Sequence, residues 1–198
     1  MRTGSMRIFG DLGSGNCQKV KLVADHLAIP YAWTAIDLMK GETRTPEFLA
    51  RNPFGQIPVV QLADGRHLAQ SNAIMIYLAR ASALVSEDAF DRAKVDELLF
   101  WEQYSHEPYV AVARFQMVYL GKAIAERDAK AVARGEQALD TMERLLDGKR
   151  YFVGDRLSLA DIALLPYTRL AHEGGFDLRG RNALRAWIAR CEQDLRIS

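Results

Sequence analysis

Hydrophobic and polar positions follow two rhythms along this chain, and the change of rhythm near Ala83 divides it. Met6 to Phe9 is a short apolar run of strand length. From Gln18 to Ala28, Val20, Val23, Ala24 and Leu27 recur at helical spacing. YAWTAI, Tyr31–Ile36, alternates and is rich in β-formers, which predicts a second strand. TPEFLARN reads as a short helix with Thr45 as its cap and Pro46 at its first position. IPVVQL and the brief RHLA flank the turn ADG at Ala63–Gly65 and predict a hairpin. SNAIMIYLARA opens a further helix at Ser71. The order β-α-β-α-β-β-α, crossovers first and a hairpin after, gives a mixed sheet covered by helices over residues 1–83.

Beyond ASALVSEDAF the strand signals stop. Asp88 to Leu120 is helical with one interruption at Pro108, whose ring removes a helix hydrogen bond and predicts a kink near Tyr104. Ala123 to Leu146 is a second long helix. LSLADIALLPYTRLAHEG is a third, opened by Ser158 and Asp161 as a capping pair in which Asp replaces the usual Glu. Asn182 to Leu195 is the last. The chain contains no internal repeat and no low-complexity tract. An all-α domain over residues 88–198 follows.

Composition narrows the picture by exclusion. With 26 basic against 25 acidic side chains, the formal net charge of +1 gives no global field for nucleic acid, membrane or a polyanion. The excess of basic residues lies before Ala83, which suits a small anionic ligand there. No apolar run approaches the ~20 residues of a spanning helix, and the N-terminus has no signal-peptide core. Met1 to Ser5 reads as a short extension ahead of Met6. Cys17 and Cys191, far apart in the chain, make no disulfide framework, and a reduced, cytoplasmic protein is expected. Nothing in the spacing suggests a metal.

Three stretches carry chemistry. In DLGSGNCQKVKL, Ser14, Asn16 and Cys17 stand between a strand and a helix, where unpaired N–H groups and the positive end of the helix dipole stabilise a thiolate. Ser14 and Cys17 have the C-x-x-C spacing of thioredoxin folds, with serine in place of the attacking cysteine. The plain alternative is a glycine-rich turn capped by Ser14 or Asn16 with Cys17 merely buried. In NPFGQIPVV, Pro58 interrupts an apolar run and belongs at a strand start or an edge. In thioredoxin-like domains such a proline is cis, and the Ile57 backbone then pairs with an extended peptide. In LAQSNAIMIYLA, Ser71 at a helix N-cap offers hydroxyl and backbone N–H to a carboxylate, or simply caps the helix.

Taken together, SGNCQKVKL, NPFGQIPVV, AQSNAIMIYLA and, in the helical half, GDRLSLADIAL resemble the cytosolic glutathione transferase superfamily over essentially the whole chain. The resemblance implies a thioredoxin-like N-terminal domain that holds glutathione as co-substrate and a helical C-terminal domain that supplies the electrophile site. By similarity, Gln70 and Ser71 take the γ-glutamyl end of glutathione, and the Ile57–Pro58 backbone takes the cysteinyl amide. Gln56, with Lys40 or Arg44, meets the glycyl end. Position 14 matches the serine of theta- and zeta-like classes. Asn16 matches the active cysteine of beta-class relatives and the functional asparagine of nu-class ones. Ser14 is the expected thiolate-handling group, with Asn16 and then Cys17 as alternatives. The zeta-class loop has Ser-Ser-Cys followed by tryptophan, against Gly15, Asn16 and Gln18 here, which argues against its isomerase activity.

The resemblance puts a small hydrophobic electrophile between the domains, against FWEQYSHEPYVAVARFQ, with Tyr104, His106 and Arg114 as polar candidates and Trp101 and Phe115 as core. It implies a homodimer in which the Ala73–Ala83 and Asp88–Trp101 segments contribute apolar residues. Conjugation is the expected reaction. Glutathione-dependent reduction of disulfides or peroxides, and a transferase-like module that only binds, are the alternatives.

Overall fold

A computed structural model describes residues 5–197, so all but Ser5 of the N-terminal extension lies outside it. The chain separates into two compact units at Ser82/Ala83.

The first unit is built on four strands, β1 (Met6–Gly10), β2 (Tyr31–Ala35), β3 (Val59–Gln61) and β4 (His67–Ala69), in the order β2-β1-β3-β4. β1 runs parallel to β2 and antiparallel to β3, which in turn is antiparallel to β4. This is the mixed sheet that two crossovers and a hairpin require. The central pair is apolar on both faces: Phe9 lies opposite Val59 and Ile8 opposite Val60, and all four are buried. Phe9 and Val59 pack with Ile36 and with Phe48 of α2 (Pro46–Arg51). On alternation, Ile8 and Val60 face the other way, toward α1 (Gly15–His26) and α3 (Ser71–Ala79), which pack on each other and bury Val20, Val23, Ile74 and Met75. Thr45 caps α2 by accepting from the Phe48 amide at 3.2 Å.

Two boundaries differ from expectation. α1 begins at Gly15, three residues before the helix expected from Gln18, because Ser14 occupies the N-cap position. Asn16 and Cys17 are therefore in the first helical turn and not in the preceding loop. β3 begins after Pro58, whose bond to Ile57 is cis.

The second unit contains α4 (Ala89–Trp101), α5 (Glu107–Val118), α6 (Ala129–Leu146), α7 (Leu159–Arg169) and α8 (Asn182–Asp194). Every residue of α7 from Leu159 to Thr168 is buried, which makes it the centre around which the others pack. The interruption before Pro108 is a π-helical turn over Glu102–His106 that joins α4 to α5. Pro108 is the second residue of α5, directly after that turn, and supplies no N–H to its carbonyls. The helix expected from Ala123 begins only at Ala129. Asp128 caps it by accepting from the Ala131 amide at 2.7 Å, and a separate 3-10 turn fills Ile124–Glu126. No helix of the described residues is long and apolar enough to cross a membrane.

Candidate functional site

Three loops meet at one end of the sheet because of its register. β1 leaves the sheet at Gly10, β3 enters it at Val59, and Val59 pairs with Ala69 at the end of β4. The turn after β1, the Ile57–Pro58 bond before β3 and Gln70–Ser71 after β4 are thus neighbours by construction.

The turn after β1 is held by Asp11. Its carboxylate accepts from the Gly13 amide at 2.8 Å and its carbonyl accepts from the Ser14 amide at 3.1 Å. That delivers the chain to α1 with Ser14 in an extended conformation, half-buried, making no side-chain cap of its own helix. Gly10 is required by proximity: a Cβ there would lie 2.7 Å from Sγ of Cys17.

Cys17 is completely buried. Burial pushes its thiol up from the ordinary 9.0 to about 12, although hydrogen bonds with the Asp11 backbone and the Ser14 side chain pull the other way. At neutral pH it is a protonated core residue and no nucleophile.

Asn16 is the polar centre of the site. Its Oδ1 accepts from Nζ of Lys19 at 2.8 Å and from Oγ of Ser71 at 3.0 Å. This second bond spans 55 positions and brings the N-termini of α1 and α3 side by side. Two helix N-termini that converge on one place favour negative charge there more than either does alone. Ser71 is buried and is the first helical residue of α3, one place later than the cap expected for it, and the cap position belongs to Gln70. Gln70 is exposed and holds φ 69, ψ 114, a region that disfavours a side chain. Such strain persists where the surroundings over-determine it, and it marks ligand sites more often than scaffolding.

The cis Ile57–Pro58 bond is reached through a loop clamped by Asn52. This buried side chain donates to the Gln56 carbonyl at 2.7 Å and accepts from the Phe54 amide at 3.2 Å. Gln56 is exposed and Ile57 packs partly against the Phe9–Phe48 cluster. Gly55, at φ 61, lies against the guanidinium of Arg44, which leaves 2.6 Å between Nη1 and a Cβ built there. Lys40 is elsewhere occupied: its ammonium pairs with Asp37 at 3.1 Å on the exposed loop. Of the two cations named for this end, Arg44 is the one that touches the Asn52–Pro58 loop.

The candidates for the second substrate are not gathered into one place. Tyr104 is 84% exposed. His106 is fully buried, with Nε2 at 3.0 Å from Oγ1 of Thr168, which itself donates to the Leu164 carbonyl at 2.6 Å. Because that hydroxyl hydrogen is directed to Leu164, His106 is the donor in their bond, and it serves to join the π-helical turn to α7. Arg114 is buried and its Nε donates to Glu173 at 2.6 Å. Of the three residues expected to present polar groups to an electrophile, only Tyr104 faces outward, and His106 and Arg114 are buried on partners of their own unit. Phe115, expected in the core, is 38% exposed and stacks on Tyr119 with ring centres 5.1 Å apart.

Lys19 and Asn52 were missed by sequence reasoning. Lysine in CQKVKL reads as a solvated helix residue, and its one signal is the three-residue spacing from Asn16. Asn52 had no signal beyond its place before Pro53.

Residues 13–81 match the family described as Glutathione S-transferase, N-terminal domain, and residues 111–190 match Glutathione S-transferase, C-terminal domain. A solved glutathione S-transferase from Pseudomonas fluorescens is 46% identical, covers 96% of this chain and 95% of its own, and superposes with a TM-score of 0.92. Glutathione S-transferase theta-3 of Mus musculus is 30% identical over 96% of this chain and 83% of its own length. Glutathione S-transferase F10 of Arabidopsis thaliana is 36% identical over 67% of this chain, a match that spans just under two thirds, 66%, of that protein.

Proposed function

This chain belongs to the cytosolic glutathione transferase superfamily, and from that premise we propose that it activates the thiol of glutathione for conjugation to a small hydrophobic electrophile. The observation that carries the reading is the Ser71–Asn16 hydrogen bond, which holds the N-termini of α1 and α3 together beside the cis Ile57–Pro58 bond. The γ-glutamyl carboxylate is received at Gln70–Ser71, where the α3 amides and the dipole meet it. The cysteinyl amide pairs with the Ile57 backbone in a short version of strand addition. The glycyl carboxylate lies toward Gln56 and Arg44. This arrangement directs the sulfur to the start of α1, where Ser14 donates a hydrogen bond to the thiolate and Asn16 supports it.

The role of the site is to raise the fraction of thiolate. A free thiol titrates near 8.5, so at neutral pH the ion is a minority. Stabilised at a helix N-terminus by one hydroxyl donor, it attacks the electrophilic carbon. A C–S bond forms and the electrophile's electron pair departs with a leaving group or takes a proton. Cys17, buried and protonated, takes no part.

Isothermal titration with glutathione tests the binding half of this reading, and Ser71→Ala tests its location. Losing one hydrogen bond to a charged group costs about 1.5–3 kcal/mol, which is roughly tenfold to more than a hundredfold in Kd. Since Ser71 is not the cap of α3, the melting temperature should fall by only a few degrees. Unchanged affinity would place the carboxylate elsewhere.

A homodimer completes the reading. Large apolar side chains stand exposed on the segments expected to pair, among them Ile76, Phe90 and Phe100 at 44%, 72% and 78%. Light scattering at micromolar concentration should give twice the 22.2 kDa chain mass, and a monomer mass would refute the pairing.

A further inference from the structure

Lys19 lies in the second turn of α1, and no part of it reaches solvent. A buried ammonium is strongly penalised unless specific partners offset its lost hydration. Its Nζ donates to Oδ1 of Asn16 at 2.8 Å, and the same oxygen faces Oγ of Ser71 at 3.0 Å. An ammonium can only donate, so the atom turned toward it is the carboxamide oxygen. The Ser71 hydroxyl must then be the donor in the second bond. Its hydrogen points at Asn16, and to hold a carboxylate it has to change partner.

We propose that Lys19 is a positioning residue of the glutathione site, holding Oδ1 of Asn16 inward so that the Ser71 hydroxyl can exchange this neutral acceptor for the γ-glutamyl carboxylate. The inference rests on the functional reading above, which puts that carboxylate at Ser71. When Ser71 turns, Asn16 keeps its bond to Lys19, and the exchange leaves that half-buried oxygen still accepting a hydrogen bond. The carboxylate is the stronger acceptor, so the hydroxyl gains by the move. The Lys19 charge, one carboxamide behind the site and shielded from water, attracts the incoming anion across a short path. Without that charge the Asn16 carboxamide can turn over and offer N–H to Ser71, which then no longer presents the same hydroxyl geometry.

The test uses two ligands: glutathione, and 4-aminobutanoyl-cysteinyl-glycine, which lacks only the γ-glutamyl carboxylate. Calorimetry on the intact protein should show Lys19→Met weakening glutathione about tenfold and the analogue by less than about twofold. Lys19→Arg, which keeps the charge, should recover part of the loss. Asn16→Asp guards against a misfolded Lys19 variant, because it leaves the buried ammonium paired. It gives Ser71 a charged acceptor that the ligand cannot displace, so glutathione should again weaken about tenfold relative to the analogue. Equal effects on both ligands would overturn the proposal and reduce Lys19 to a packing residue. Wild-type affinity for both ligands in both variants would overturn it as well. If the wild-type protein itself fails to bind glutathione, the functional reading falls, and this inference falls with it.

Discussion

Ser14→Ala should lose about tenfold or more in conjugation rate near neutral pH and recover much of it in alkali. The hydroxyl acts only by holding the bound thiol's pKa below that of the free one, and each unit of that difference is worth 1.36 kcal/mol. One hydrogen bond to a charged group supplies one or two such units. The α1 dipole adds a fraction that survives the substitution. The sign follows directly: removing the donor raises the bound thiol's pKa, so the thiolate is lost at neutral pH and restored once the pH exceeds the new value. Thiolate absorbance of the bound complex, followed against pH, reads this shift without needing the electrophile. Cys17→Ala is the companion measurement. Its thiol is held to about 12, so its removal should leave rate and profile unchanged. Should Cys17→Ala abolish activity instead, the chemistry runs through a protein thiol and a mixed disulfide.

The largest loss of stability is expected far from this site, at Asp161→Ala. The Asp161 side chain is entirely buried and collects four donors. Oδ1 accepts from the Phe152 amide at 3.1 Å and the Trp187 indole at 2.9 Å. Oδ2 accepts from the Ser158 amide at 2.9 Å and the Ser158 hydroxyl at 2.7 Å. Truncation strands all four, and buried donors left unsatisfied cost about 1–3 kcal/mol each before relaxation. A net loss of about 3–5 kcal/mol is expected once relaxation recovers part of that sum, at the high end for a single substitution. Asp161→Asn keeps the shape but can accept on one side only, and should fall between. Chemical denaturation measures both, and a loss below 1 kcal/mol for the alanine variant would mean that water replaces the carboxylate.

That capping cluster was legible in the sequence because Ser158 and Asp161 are three residues apart at the head of an apolar run. Thr45 and the strand–helix order of the first unit were legible for the same kind of reason, since local spacing and burial agreed. The start of α1 was not. Glycine and asparagine are poor helix formers, and the apolar period begins only at Val20, so Asn16 and Cys17 read as loop. His106 and Arg114 misled because a polar residue on a helix carries no mark of what faces it. Their partners, Thr168 and Glu173, lie more than fifty positions away. Lys19 was invisible for the opposite reason: its partner is close, but nothing in the sequence says that the side chain is enclosed.

The π-helical turn at Glu102–His106 has a consequence for descent. Such a turn holds one residue more than the α-helical turn it replaces, and each helical residue advances the face by about 100°. Val110, Ala111 and Ala113 therefore reach the interior in a phase that an uninterrupted helix from α4 would miss. A relative lacking one residue in this stretch would show an aligner nothing but a single gap in a well-matched helix. Its α5 would still turn the same stripe inward, because the π turn takes up the rotation of the added residue, and one codon is gained or lost here without rewriting that stripe.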